Sequence, residues 1–265
     1  MRLTGWWCKC PNARSDPMRA WLAALAIGLA GAASAEEPWQ TAEGPGIVAA
    51  RFEEPDNSYP HRIMGRIPER RVLVVRDAQG RAHRLDLRKG PNPSHVFEDV
   101  APRLVDADGD GAIDAVVVEA SPEAGAHLAI YGLRRGDLVK AAATPPIGTP
   151  FRWLAPAAIA DLNGDGVTDI AYVETPHLGK VLRVWSWVAG GLTEIAQLRG
   201  VTNHRIGDEV IFGGLRDCGH GPEIVLADAD FRRLVAVAFE GEALAARRLP
   251  IEASPKGFDT ALACR

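Results

Sequence analysis

Two nine-residue stretches carry the densest chemistry in the sequence. Asp106-Ala-Asp-Gly-Asp-Gly-Ala-Ile-Asp114 and Asp161-Leu-Asn-Gly-Asp-Gly-Val-Thr-Asp169 both read D-x-[DN]-x-D-G-x-x-D. A hard divalent cation with six or seven oxygen ligands needs several carboxylates to converge from a short loop, with glycine where the chain turns sharply. Asp106, Asp108, Asp110 and Asp114 in the first loop, and Asp161, Asn163, Asp165 and Asp169 in the second, offer side-chain oxygens at positions 1, 3, 5 and 9. Ala112 and Val167, at position 7, can offer backbone carbonyls. The set is all oxygen, without Cys or His, which favours calcium over zinc or copper and gives an expectation of two Ca²⁺ sites. Without a cation the four carboxylates of the first loop would repel one another. An EF-hand begins in the same way but requires a Glu at position 12 between helices. Position 12 here is Val117 or Tyr172, between strand-like flanks, which excludes it.

Three further segments share a His near Pro or Asn and Gly: Tyr59-Pro-His61-Arg-Ile-Met-Gly65, Thr175-Pro-His177-Leu-Gly179 and Thr202-Asn-His204-Arg-Ile-Gly207. If the fold gathers them at one end, His61, His177 and His204 line a mouth; otherwise they are loop punctuation with histidines bonded to carbonyls. Glu119, Glu174 and Asp228 recur after the same apolar run in three repeats and are candidates for a carboxylate ring beside those histidines, the arrangement of a hydrolase, or else acids on a solvated rim. Trp185 and Trp187 alternate on one strand and so share a face. With Trp153 they offer a carbohydrate-stacking platform or, alternatively, packing between sheets. No G-x-S-x-G, HExxH, P-loop or dinucleotide fingerprint is present, so no nucleophile or cofactor motif supports an enzyme.

The elements that must position these residues repeat. Leu104–Glu119 aligns with Ile159–Glu174 at an offset of 55, and Gly214–Asp228 follows at an offset of 54. In that third copy, positions 1, 3, 5 and 9 align to Leu215, Asp217, Gly219 and Glu223, too few ligands for calcium, and Cys218 stands inside the loop. Short β-branched runs with turn signals every eight to twelve residues predict strands, three to four per repeat, and almost no helix. Residues 71–87 add another strand pair around the turn Asp77-Ala-Gln-Gly80. This is the pattern of an all-β chain and of a small β-propeller with four to five blades of about 55 residues. A fifth blade would be assembled from both termini, and a stacked sandwich is the rival architecture.

The two loops, the strand after each and the repeat length resemble the FG-GAP/VCBS repeat family, including the calcium loops of integrin α-subunit propellers, over roughly residues 45–250. In that family the loop joins the first two strands of a blade and binds calcium, which implies that role for Asp106, Asp108, Asp110, Asp114, Asp161, Asn163, Asp165 and Asp169. The chain is shorter than an integrin propeller and has lost the third loop; it is more similar to small exported bacterial members. The resemblance implies a binding or interaction module with a protein or glycan partner and structural calcium.

Met18-Arg19, the apolar run from Trp21 to Ala33 and then Ala33-Ser-Ala35 have the order of a signal peptide cleaved after Ala35. Residues 1–17 fit neither a signal peptide nor a folded element, and translation is expected to start at Met18. The predicted division is therefore a leader at 1–35 and one domain at 36–265, periplasmic or secreted, monomeric and without a membrane span once the leader is removed. The whole chain has 30 basic and 34 acidic side chains, a net charge of −4; without residues 1–35 it has 26 and 33, or −7. No strongly basic surface is available, so nucleic acid is not an expected partner. Cys8 and Cys10 leave with the leader, and the two remaining cysteines, Cys218 and Cys264, are expected to pair in an oxidising compartment.

Overall fold

Runs of alternating or continuous apolar residues separated by Gly- and Asp-containing turns fold here into antiparallel sheets of four main strands. The structure, a computed structural model, describes residues 37–265. The expected leader and the Met18 start lie outside the described residues.

Sheet I contains β1 (Gln40–Thr41), β2 (Ile47–Asp56), β3 (Glu69–Asp77) and β4 (Ala82–Asp86). The predicted turn after β3 is closed by Asp77, whose carboxylate accepts the N–H groups of Gln79 and Arg81. β5 (Val96–Phe97) pairs with β3 on one side and with sheet II on the other, joining the two edge to edge. Sheet II comprises β6 (Arg103–Val105), β7 (Asp114–Ser121), β8 (Gly125–Arg134) and β9 (Asp137–Ala143). Sheet III comprises β10 (Leu154–Ala160), β11 (Asp169–Glu174), β12 (Val181–Val188) and β13 (Gly191–Arg199). In sheet IV, β14 (Val201–Thr202) and β15 (Gly214–Asp217) both pair with β16 (Pro222–Asp228), followed by β17 (Arg233–Glu240) and β18 (Ala243–Glu252).

Strand alternation sends successive side chains into two different cores. Val116, Val118, Leu128 and Ile130 of sheet II meet Ile170, Tyr172 and Trp185 of sheet III. The intervening Ala115, Val117, Ala129 and Tyr131 face Phe52, Leu73 and Val75 of sheet I. Sheet III repeats the arrangement, its Ala171, Val173, Leu182 and Val184 meeting Ile224, Leu226, Val235 and Val237 of sheet IV. Each sheet is thus covered by the next in a propeller-like, all-β succession, and β7 is buried along its whole length because it has a core on both faces. Loops close the first unit onto the fourth: Gly207 N–H donates to the Ile63 carbonyl at 3.0 Å, and Arg66 pairs with Glu209.

Among the described residues there are four such units, and no fifth sheet is assembled from the termini. The outer face of sheet IV is covered instead by α1 (Pro255–Leu262), whose Phe258 and Ala261 pack on Val225, Ala227, Leu234 and Ala236. Ser254 caps this helix by accepting the Gly257 N–H, and Pro255 occupies its first turn, where a missing N–H costs nothing. Among the described residues no helix is long and apolar enough to cross a membrane.

One irregularity recurs and matters for function. The first strand of sheet III runs unbroken apart from a bulge at Pro156/Ala158. In sheets II and IV it is split, by residues 98–102 between β5 and β6 and by residues 203–213 between β14 and β15. These inserted segments bring Glu98, Asp99 and His204 into the molecule.

Candidate functional site

The two acidic loops connect the first and second strands of sheets II and III, and they are held in the same way. Both oxygens of Asp106 accept backbone N–H groups, from Gly109 at 2.8 Å and Gly111 at 2.9 Å. Asp161 does the same with Gly164 at 2.7 Å and Gly166 at 2.9 Å. At position 5, Asp110 accepts the Ala112 N–H and Asp165 the Val167 N–H, each at 2.8 Å. Position 1 therefore winds the loop around its own carboxylate. In the first loop one carboxylate oxygen from each of Asp106, Asp108 and Asp114 lies within 4.8 Å of the others.

Position 9 begins the second strand and is fully buried: Asp114 and Asp169 are both 0% exposed. Asp114 Oδ2 and Asp169 Oδ1 have no hydrogen-bond partner. Burial pushes the Asp114 carboxyl up to about 7, with the negative charge of Asp108 acting in the same direction. Asp169 is likewise raised by burial, against hydrogen bonds from Ser186 and the Leu162 N–H. A buried carboxylate oxygen without a partner is costly. Two of them at equivalent places, the first on a carboxylate within 4.8 Å of oxygens of Asp106 and Asp108, fit a hard cation, which would be held by positions 1, 3, 5 and 9.

The loops differ in one respect. Arg134, at the end of β8, places its guanidinium 2.5 Å from Asp108, 3.6 Å from Asp110 and 3.4 Å from Asp114. Gly132 makes room for this, since a Cβ there would collide with Asp114 Oδ1 and the Arg134 guanidinium. At the corresponding place in β12 stands Val188, 49% exposed, and the second loop contains no internal cation. The first loop is also strapped from outside: Ile113 exchanges backbone bonds with Pro45 and Ile47, and a Cβ on Gly46 would lie 2.6 Å from the Ile113 carbonyl.

The third loop is shorter than its sequence alignment implies. Eight residues separate Val105 from its partner Asp114, and Ala160 from Asp169, but only six separate Arg216 from Glu223. Asp217, not Leu215, therefore occupies position 1, and its carboxylate accepts the N–H groups of Gly219 and Gly221. The position-9 acid, Glu223, is neutralised by Arg216 and Arg247. Cys218 and Cys264 form the expected disulfide, which ties this loop to the residue next to the C-terminus.

The three histidine segments meet as well. His177 Nε2 lies 2.9 Å from His204 Nδ1, and His204 Nε2 lies 2.9 Å from the Asp208 carbonyl. Both rings pack on Trp153, His177 parallel to it at 6.3 Å and His204 edge-on at 4.8 Å. His61 shares a cleft with Trp153 and His177. Burial drives the pKa of His177 down to about 4 and lowers that of His204.

The expected carboxylates are engaged elsewhere. Glu119 is buried, bonded to His95 at 2.6 Å, to the Tyr131 hydroxyl at 2.6 Å and to Lys140 at 2.7 Å. Burial opposes its charge, but the bond from His95 and the Lys140 ammonium hold it at about 2. Glu174 pairs with Arg183, and Asp228 accepts the Arg232 N–H. The acid that does reach the histidines is Glu98, 2.5 Å from His61 Nδ1, with its backbone carbonyl accepting the Trp153 indole N–H at 2.8 Å. Burial raises Glu98 to about 7. No motif marks it in the sequence; only its place in an inserted segment distinguishes it.

Of the tryptophans, Trp153 and Trp185 are buried, and Trp187 packs partly buried against the same core. Trp185 stacks on Tyr172 at 6.5 Å. Trp185 and Trp187 follow the packing alternative, and Trp153 is buried in the same core while also lining the histidine cleft.

Fold and loops together define an all-β, propeller-like protein of repeated four-stranded units. Residues 106–172, from Asp106 at the start of the first loop through the second loop into β11, match the family model of the FG-GAP-like repeat. Comparison with curated proteins finds no match to the chain.

Proposed function

We propose that the protein is an exported, calcium-stabilised binding module. The observation that carries this reading is the pair of buried, unpartnered carboxylate oxygens of Asp114 and Asp169, each at the end of a loop wound around its position-1 carboxylate. The FG-GAP-like repeat over these loops supports an interaction module, and the Cys218–Cys264 disulfide supports an oxidising compartment, periplasmic or extracellular.

Calcium here is structural. Asp169 begins β11, whereas the histidine cleft begins at Thr175, just past its end. Six residues of strand at about 3.3 Å each put Asp169 roughly 20 Å from the cleft. With a dissociation constant of ~0.1 mM and ~1 mM calcium, each site adds about 1.4 kcal/mol of stability by mass action. The hydrolase reading loses its expected carboxylates, because Glu119, Glu174 and Asp228 are bonded to groups other than His61, His177 and His204.

Equilibrium dialysis against calcium tests the proposal. Two ions per chain are expected, falling to one in Asp165→Ala. Retention of none at ~1 mM free calcium overturns it.

A further inference from the structure

Independently of calcium, we propose that the cleft between His61, Trp153 and His177 is a binding site for a small organic anion with a flat apolar body and a single carboxylate. The cleft measures about 190 Å³. For scale, an apolar cavity of about 150 Å³ in a different protein holds one benzene ring, so an aryl group with a carboxylate fits here.

The walls are built and fixed. Trp153 is anchored by its N–H on the Glu98 carbonyl. The His177–His204–Asp208 chain of hydrogen bonds sets the orientation of the ring stacked parallel to Trp153. A planar ligand can lie between His61, Phe151 and His177 in this pre-formed slot at small entropic cost. Around the mouth stand Phe151, Leu178 and Ile206, exposed by 40%, 63% and 71%. Large apolar side chains this exposed, grouped around one opening, mark a contact surface.

The charge balance selects the ligand. Glu98, the buried acid beside the cleft, is hydrogen-bonded to His61 at 2.5 Å. Arg152 also lines the cleft, and its guanidinium donates only to the neighbouring Phe151 carbonyl, at 3.3 Å. It has no carboxylate partner among the described residues. An unmatched guanidinium at the edge of an apolar slot recognises a carboxylate, which it can bind in a bidentate fashion.

Backbone strain gathers at the same place. Phe151 (φ 53°) and Thr175 (φ 44°) line the cleft in the left-handed region, and Arg62 (φ 50°) follows His61. Such conformations in non-glycine residues cost on the order of 1–3 kcal/mol each and cluster at ligand sites.

The test is titration with benzoate, phenylacetate and hexanoate, with benzamide as the neutral control, following the Trp153 indole N–H by NMR, in EDTA and again in calcium. Saturable binding of an aryl carboxylate is expected, about tenfold tighter than benzamide. Arg152→Gln should remove that preference without lowering the melting temperature, and Leu178→Trp, whose exposed side chain can fill the mouth, should block binding altogether. Absence of saturable binding by all three acids, or unchanged benzoate affinity in both variants, overturns the proposal. Agreement between the EDTA and calcium arms separates this outcome from the fate of the calcium sites.

Discussion

The guanidinium of Arg134 lies 2.5 Å from a carboxylate oxygen of Asp108, inside the first acidic loop. The first loop carries its own counter-charge and the second, with Val188 at the corresponding place, does not. Removing Arg134 should therefore have opposite consequences with and without calcium. Arg134→Ala is expected to lower the melting temperature in EDTA by about 2–4 °C, for the loss of roughly 1 kcal/mol of partly exposed ion pairing. In calcium the variant should recover that difference, with tighter calcium binding at the first loop by calorimetry. Val188→Arg should weaken the second site.

Glu119 stands where three side chains depend on one buried carboxylate. Glu119→Ala leaves Lys140, His95 and the Tyr131 hydroxyl without it. Breaking a buried pair from one side costs about 3–5 kcal/mol. Urea denaturation should show that loss, and Glu119→Gln, which keeps the shape, should lose less.

His127 predicts a pH dependence. It is buried, its Nδ1 has no partner, and burial lowers its pKa from 6.5 to about 4. Between those values the unfolded chain holds a proton that the folded one refuses, so stability is present above pH 6.5 and falls as pH drops toward 4. Glu98, raised from 4.5 to about 7, acts in the opposite sense, losing stability as pH rises through that range. Comparing wild type with His127→Phe isolates the histidine. The stability of the variant relative to wild type should grow by roughly 1–3 kcal/mol between pH 6.5 and 4.5, and a constant difference would contradict the assignment.

The disulfide clasps the shortened third loop to the end of α1. Cys264→Ser should cost about 2–4 kcal/mol. The loss should concentrate in sheet IV and α1, seen as faster amide exchange there while β7 stays protected.

How much of this was legible in the sequence varied with the kind of signal. The two complete loops, the strands after them and the disulfide could be read directly, because each rests on a local pattern or on arithmetic. The third loop was misaligned at position 1, since an offset between apolar runs cannot show that two residues are missing inside the loop; only the pairing of Arg216 with Glu223 reveals it. Glu119 and Glu174 look equivalent in sequence, yet Glu119 lies in a strand with a core on both faces and is buried among His95, Tyr131 and Lys140. Glu98 was missed because burial, not sequence context, gives it its character. The helix α1 was also missed, although Ser254-Pro255 is a start signal that a search for caps would have found.

The central claim is that calcium completes the two loops, and thermal unfolding in excess EDTA followed by a calcium titration tests it most directly. The account predicts a saturating rise in melting temperature of about 5–10 °C for two sites, reduced in Asp110→Ala and in Asp165→Ala and absent when both are changed. An unchanged melting temperature at every calcium concentration would contradict it, and would leave the loops as self-bonded turns.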